Sequence, residues 1–178
     1  MQEFLARYLF HWSPERAIWL GGHTLSWDAR CAGIYAGFGI TLVFFLLDQR
    51  HSKAPLRTTM TAAALLSLPM LLDVATIHYQ IRLPHNSLRH LTGLLFGIAF
   101  CCLLFPAVRH LATGSILPEQ SHFKTLVITI VLGSAISSLT HLNHPASFYL
   151  LETLSWLGFS GLSLLISSGL YLVFVANR

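Results

Sequence analysis

Charged side chains are scarce in this sequence. Of its 178 residues, only 10% are Asp, Glu, Lys or Arg, whereas an average soluble domain carries about 25%. The charges are also grouped between long apolar runs, which is the arrangement of an integral membrane protein. A soluble globular protein is therefore excluded. The net charge of +4 is too small and too scattered to indicate nucleic-acid binding.

Cysteine is equally scarce, and common catalytic motifs are missing. Three cysteines are too few for a disulfide scaffold, and Cys101 and Cys102 lie in an apolar run, where we expect them to act as small hydrophobic residues. The N-terminus lacks the basic and long apolar regions of a cleavable signal peptide. The sequence contains no Gly-x-Ser-x-Gly, His-Glu-x-x-His or Gly-x-x-x-x-Gly-Lys, so it does not indicate a familiar hydrolase, zinc protease or P-loop enzyme.

Long apolar runs are what the sequence has instead. A bilayer core needs about 20 apolar residues per helix. Suitable segments cover residues 31–47, 58–78, 88–108, 123–142 and 147–175. Residues 1–30 are expected to form an amphipathic, interfacial segment with Trp12, Trp19 and Trp27 in an aromatic belt. We therefore predict an all-α, polytopic helix bundle of about five transmembrane helices, with residues 1–178 forming one domain in the lipid bilayer.

Two predicted helices carry glycines four residues apart. Gly33 and Gly37 open the first helix, and Gly93 and Gly97 open the third. Small residues at this spacing let helix backbones approach closely in lipid. These faces can pack inside the bundle or receive a membrane-protein partner, as in a non-catalytic accessory subunit of a larger complex.

Five spans would bring many polar residues to the membrane side of the N-terminus. Seven of the ten histidines fall there, namely His11, His23, His78, His85, His90, His141 and His144. The same side holds the charged or thiol groups of Asp28, Arg30, Cys31, Asp73, Arg89 and Glu152. The five-span arrangement therefore predicts a polar site at this membrane face.

Among these residues, Asp73 costs the most free energy to place in a membrane, because it lies inside the second predicted span. At about 1.5 Å of helix per residue, it is roughly 7 Å from the end of that span. A carboxylate at that depth costs about 2–3 kcal/mol on insertion scales and normally faces a partner inside the bundle. Arg30 and Arg89 are the expected cations. These three residues are candidate catalytic residues, and a buried ion pair that only fixes helix register is the alternative.

Metal binding is a second hypothesis for the same face. Asp28 and Cys31 lie about one helical turn apart, and His141 and His144 repeat that spacing. Cys, His and carboxylate ligands together suit zinc or another transition metal. The candidate ligands are His11, Asp28, Cys31, His78 and His141. His85 and His90 are instead expected to be solvated loop or interface residues.

The fourth predicted span presents a polar face. The residues at positions i, i+3, i+4 and i+7 of that face are Ser134, Ser137, Ser138 and His141. We expect the face to point into the bundle and its serines to form interhelical hydrogen bonds.

Four strings give the first half of the chain a recognisable pattern. They are Ser13-Pro-Glu-Arg16, Ala29-Arg-Cys-Ala-Gly-Ile-Tyr-Ala-Gly37, Leu68-Pro-Met-Leu-Leu-Asp73 and Asn86-Ser-Leu-Arg-His-Leu-Thr-Gly93. With them, residues 10–97 resemble the bacterial predicted-membrane-protein family catalogued as domain of unknown function number 2085. The resemblance implies a membrane fold, a multi-pass protein of the bacterial inner membrane, and a polar site at the N-terminal side, but no established activity.

The sequence departs from that family at two thiol positions. Phe10 and Asp28 stand where the family has cysteine, and Trp12 stands where it has glutamine. Cys31 is thus left without a cysteine partner on its side, which disfavours dithiol redox chemistry. A metal site tolerates the change better, because Asp can replace a Cys ligand. The leading hypothesis is an enzyme or small-solute handler with a polar site, and the accessory subunit is the alternative.

The five-span arrangement predicts a specific topology. Accessibility tags at Lys53 and at the C-terminus should report one membrane side, and a tag at residue 83 the other. Reporters at Lys53 and residue 83 on the same side would contradict both the five-span arrangement and the convergence of the polar residues.

Overall fold

The chain folds as a helical bundle. A computed structural model describes residues 14–47, 56–113 and 123–176. The helices are α1 Ala29–Leu47, α2 Leu56–His78, α3 Asn86–Thr113, α4 Phe123–Ser138 and α5 Pro145–Ala176. Two short strands, β1 Trp19–Leu20 and β2 His23–Thr24, precede them, and 3₁₀ turns occupy Pro14–Arg16 and Leu139–His141. The predicted all-α bundle is confirmed, and each helix lies close to its predicted range.

Helix length decides which elements can cross a membrane. In the described part of the chain, four helices are long and apolar enough, over Ala29–Leu47, Thr58–His78, Asn86–Arg109 and Pro145–Val175. Helix α4 has 16 residues, so it is about 24 Å long, and the following 3₁₀ turn adds about 6 Å. Together they approach the ~30 Å of a bilayer core. The fifth crossing stays a prediction.

The centre of the bundle is a close contact between α1 and α3. A Cβ at Gly33 or Gly37 would overlap the carbonyl oxygens of His90 and Leu94. In the reverse direction, a Cβ at Gly93 or Gly97 would overlap the carbonyl oxygens of Arg30 and Ile34. The two glycine pairs therefore pack against each other, as close approach of membrane helices requires.

This contact corrects one expectation about partners. The glycine faces are buried inside the chain, so they cannot receive another membrane protein. The helices with the most exposed apolar surface are instead α2 and α5, whose apolar stretches are only 11% buried. Lipid can cover the same faces.

The remaining helices pack around this pair. Helix α2 lies on α3, α5 lies on α1, and α4 contacts both central helices. Buried side chains from several helices fill the interior, including Phe38, Phe45, Leu94, Ile98, Cys101, Cys102 and Leu126. The two cysteines are therefore core hydrophobic residues, as the apolar run predicts.

A small hairpin before α1 closes one end of the bundle. Strands β1 and β2 pair antiparallel, with Leu20 opposite His23. Gly21 and Gly22 have φ values of 56° and 83°, which suit the two central positions of a tight hairpin turn. The Gly21 N–H donates to Asn143 Oδ1 at 2.6 Å. The hairpin is thereby fixed beside the start of α5.

The aromatic-belt expectation is wrong for Trp27. Its side chain is only 2% exposed, and its ring packs edge-on against Tyr35 and Trp156 at centroid distances of 4.8 and 4.9 Å. Trp19, by contrast, is 62% exposed and can occupy an interface. Trp12 lies outside the described residues. Trp27 is buried because the hairpin folds it back between α1 and α5.

The α1–α3 contact predicts that alanine substitution lowers the stability of the protein at one glycine but not at another. Gly97→Ala should destabilise the protein by about 1–3 kcal/mol, because its Cβ would overlap the Ile34 backbone. Gly169→Ala is the matched control, since its Cβ would meet only Val108 Cγ2 at 3.4 Å. Thermal unfolding in detergent should show a lowered melting temperature only for Gly97→Ala. Equal melting temperatures would contradict the packing.

Candidate functional site

Asp73 lies between two arginines at the hairpin end of the bundle. Its residue is 4% exposed, and its Oδ2 is 2.5 Å from Arg30 Nη2. Its Oδ1 is paired with Arg82 Nη2. The predicted pair with Arg30 is confirmed, whereas the pairing of Arg82 was not predicted. Each carboxylate oxygen thus has its own guanidinium.

The end of α2 brings Arg82 back to Asp73. Gln80 adopts φ 56°, the left-handed conformation typical of the residue that follows a helix. The Ile81 N–H then donates to the Thr76 carbonyl at 2.9 Å, as in a Schellman motif. The chain reverses at this point, and Arg82 can reach a carboxylate nine residues earlier. The sequence signal for this chain reversal is weak, because the left-handed position holds Gln80 rather than a glycine.

Asp28 fixes the start of α1. Its Oδ1 accepts a hydrogen bond from the Arg30 N–H at 3.0 Å, and its carbonyl accepts one from the Ala32 N–H at 2.8 Å. This is the bonding of an N-cap residue, so the carboxylate is used by the helix. Its Oδ2 also lies 4.0 Å from Arg16 Nη1. Capping sets the position of Arg30 just inside the helix.

Asn86 ties the start of α3 to the segment before the hairpin. Its Nδ2 donates to the carbonyl oxygens of Glu15 at 3.2 Å and Ala17 at 3.0 Å. Its Oδ1 accepts a long hydrogen bond of 3.4 Å from Arg89 Nη1. One amide side chain therefore joins the first described residues to α3 and contacts a guanidinium.

These contacts define an arginine cluster at the membrane face. It consists of Arg16, Arg30, Arg82 and Arg89 together with Asp28 and Asp73. Four arginines minus two aspartates leave two positive charges in excess. Arg89 is only 8% exposed, and four charged neighbours, led by Asp28, act on it electrostatically. Within the described residues, the Nε atoms of Arg30 and Arg89 are buried without a hydrogen-bond partner.

A cleft opens on another side of α3, between its first turns and the end of α4. It has a volume of about 280 Å³. Its walls are formed by His85, Ser87, Leu88, Leu91, Ser134, Ser137, Ser138 and His141. The predicted polar face of the fourth span therefore lies along a cleft, and Ser137 on that face is buried as expected.

His90 lies beneath this cleft, which corrects its expected position in a loop or interface. It is fully buried, and its Nδ1 is 2.8 Å from Ser137 Oγ on α4. This hydrogen bond is interhelical, as predicted for the serine face. The sequence does contain a signal for the burial of His90. His90 lies four residues before Leu94 and eight before Ile98, so the three share one buried face of α3.

The predicted metal ligands do not form a visible centre. Asp28 caps α1, Cys31 is half-buried in its first turn, and the exposed His78 packs its ring against Tyr79 at 5.3 Å. His141 lies at the cleft. In the described ranges, no three His, Cys, Asp or Glu residues come together as a metal site. His11 lies outside those ranges, so the site built from these five residues, for zinc or another transition metal, stays a prediction.

Comparison with known proteins identifies the family. The model of the predicted-membrane-protein family, domain of unknown function 2085, matches residues 10–103, which is more than half of the chain. The chain belongs to this family and is an integral membrane protein, which confirms the resemblance. The matched segment includes every member of the arginine cluster. Helices α4 and α5 lie beyond it.

One relative extends the comparison beyond bacteria. An uncharacterized protein of Methanocaldococcus jannaschii is 30% identical over 98 residues, which cover 54% of this chain and 61% of that protein. Because this relative is archaeal, the comparison supports a multi-pass membrane protein without assigning it to a bacterial inner membrane. No solved structure matches the chain.

The buried ion pairs predict a large cost for removing Asp73. Asp73→Ala leaves Arg30 and Arg82 without their shared carboxylate, and breaking such a pair typically costs about 3–5 kcal/mol. Unfolding in detergent should therefore occur at a clearly lower temperature. Glu15→Ala is the control, because its exposed side chain should change stability by less than about 0.5 kcal/mol. Equal stability of the two variants would show that Asp73 is not a structural counter-ion.

Proposed function

We propose that this member of the domain of unknown function 2085 family binds an anionic group at the arginine cluster, with Arg89 as the principal contact. The main support for this proposal is that Arg89 is 8% exposed and makes no ion pair with any described residue. A buried guanidinium without a counter-ion is costly, because it has lost water without gaining a carboxylate. A bound phosphate or carboxylate would supply the missing charge.

The neighbouring carboxylates are already engaged. Asp73 binds two arginines, and Asp28 caps α1 and lies beside Arg16. They balance part of the positive charge, but among the described residues the guanidinium of Arg89 has only one long hydrogen bond, to Asn86. The arrangement therefore supports an anion site that is held in place by ion pairs and is not itself neutral.

The chemistry of arginine narrows the ligand class. A guanidinium presents its donors in a planar fork that matches two oxygens of a phosphate or carboxylate. The cluster lies at the ends of apolar helices, so its ligand must be reachable from the membrane surface. The ligand is therefore a small anionic solute or the anionic headgroup of a lipid. This proposal makes the chain a small-anion handler, and an enzymatic step on the ligand remains a separate hypothesis for Arg30, Asp73 and Arg89.

Phosphate should stabilise the wild-type protein. At a concentration tenfold above Kd, binding adds about 1.4 kcal/mol, which raises the melting temperature by roughly 3–6 °C. Arg89→Gln should lose this effect while remaining at least as stable as wild type without phosphate, because the substitution removes a buried charge that no described residue pairs with. Arg109→Gln, at the opposite end of α3, is the matched control and should respond like wild type.

Two further measurements, one in different lipids and one on a Glu3 variant, complete this experiment. Repeating the measurement in nanodiscs of phosphatidylglycerol and of phosphatidylcholine separates a lipid headgroup from a free anion, since only a headgroup site responds to the lipid. Glu3 is the one acidic residue outside the described ranges that precedes the cluster in the chain. Glu3→Gln should leave phosphate binding unchanged. A wild-type protein that ignores both phosphate and phosphatidylglycerol would refute the proposal, as would Arg89→Gln behaving like Arg109→Gln.

A further inference from the structure

The cleft between α3 and α4 carries a second arrangement that the anion site does not use. Ser137 is one of the residues that line the cleft, and its Oγ is 2.8 Å from Nδ1 of the fully buried His90. The other imidazole nitrogen, Nε2, is buried without a partner in the described part of the chain. A serine hydroxyl within hydrogen-bonding distance of a histidine nitrogen can act as a nucleophile when the histidine accepts its proton.

The hydroxyl hydrogen of Ser137 is free to point at His90. Many other serines in these helices donate to a carbonyl one turn earlier, including Ser67, Ser138, Ser155, Ser163, Ser167 and Ser168. The recorded hydrogen bond of Ser137 goes instead to the imidazole. A neutral imidazole has one donor and one acceptor nitrogen, so donation from Ser137 makes Nδ1 the acceptor and leaves the hydrogen on Nε2.

Two residues that line the cleft, Ser87 and Leu88, come from the first turn of α3. At this helix start the Arg89 N–H donates to the His85 carbonyl at 3.0 Å. The N–H groups of Ser87 and Leu88 precede it, so they have no intrahelical acceptor, and both residues line the cleft. They lie only two or three residues before His90, which is about 3–5 Å along the helix. Unbonded N–H groups at a helix start can stabilise an oxyanion.

We propose that Ser137 and His90 form a nucleophilic dyad that accepts acyl groups from carboxylic esters entering this cleft. Leu88 and Leu91 give the cleft an apolar wall, which suits an ester with a hydrocarbon portion. The proposal does not depend on the arginine cluster, because Arg89 is not among the residues that line the cleft.

The reaction balances without a cofactor. Ser137 Oγ bonds to the ester carbonyl carbon as its proton passes to His90 Nδ1, and the carbonyl oxygen becomes the oxyanion held by the Ser87 and Leu88 amides. The C–O bond of the ester then breaks, and the leaving alkoxide takes the proton from His90. Water repeats both steps on the acyl-serine, releasing a carboxylic acid and restoring the Ser137 hydroxyl.

A fluorophosphonate probe tests the dyad on the full chain in detergent. The nucleophile displaces fluoride and retains the phosphonate, so peptide mass spectrometry of the wild-type protein should find the adduct on Ser137. His90→Asn keeps a hydrogen-bonding group near Nδ1 but cannot take the proton, and it should slow labelling by about 10²–10⁴-fold. Ser163→Ala is the matched control and should label at the wild-type rate, because that exposed serine on α5 lies outside the cleft and donates to the Phe159 carbonyl of its own helix.

The site of modification in the wild-type protein decides the question even if a variant does not fold. An adduct on Ser137 whose formation depends on His90 supports the dyad. Absence of labelling at Ser137, or an equal labelling rate in folded His90→Asn, would overturn it and leave the hydrogen bond as a helix-packing contact.

Discussion

The close contact of α1 with α3 is the constraint on which the rest of the bundle depends. Hydrocarbon offers no hydrophobic force between helices, so association relies on backbone approach and on polar contacts that cannot be satisfied by lipid. Interlocked glycines let the first turns of the two helices touch. This contact places Arg30 on α1 beside the start of α3, where Arg89 and His90 project toward different neighbours. Two chemically distinct surfaces therefore arise on one short stretch of α3.

Local backbone motifs then complete the arginine cluster. A helix cap at Asp28 and a left-handed residue at Gln80 decide where α1 begins and where α2 ends. Both are short-range devices, yet they bring charges from distant parts of the chain onto one membrane face. The buried Asp73 pairs with Arg30 and Arg82, and Arg16 lies beside Asp28. Under the proposed function, these ion pairs stabilise the fold, and Arg89 is left to contact the ligand.

Much of the fold follows from the sequence, and much less of the site does. Apolar run length predicts the helices, because it is a local property that lipid strongly selects. Small-residue spacing predicts that the glycines of α1 and α3 are contact points, but not that these two helices pack against each other. The burial of Asp73 and its bond to Arg30 or Arg89 follow from the cost of a carboxylate in hydrocarbon, and the structure shows the bond to Arg30. The positions of Arg82 and Trp27 do not follow from the sequence pattern. A chain reversal after α2 places Arg82, and the docked hairpin places Trp27.

We propose that the counter-ion of the buried Arg89 comes from outside the chain. Electron cryomicroscopy of the protein in phosphatidylglycerol nanodiscs supplemented with phosphate can show whether it does. We expect Asp73 to lie between Arg30 and Arg82, together with non-protein density within hydrogen-bonding distance of the Arg89 guanidinium. An ion pair from Arg89 to Glu3 or another protein carboxylate, with no ligand density at the cluster, would contradict it.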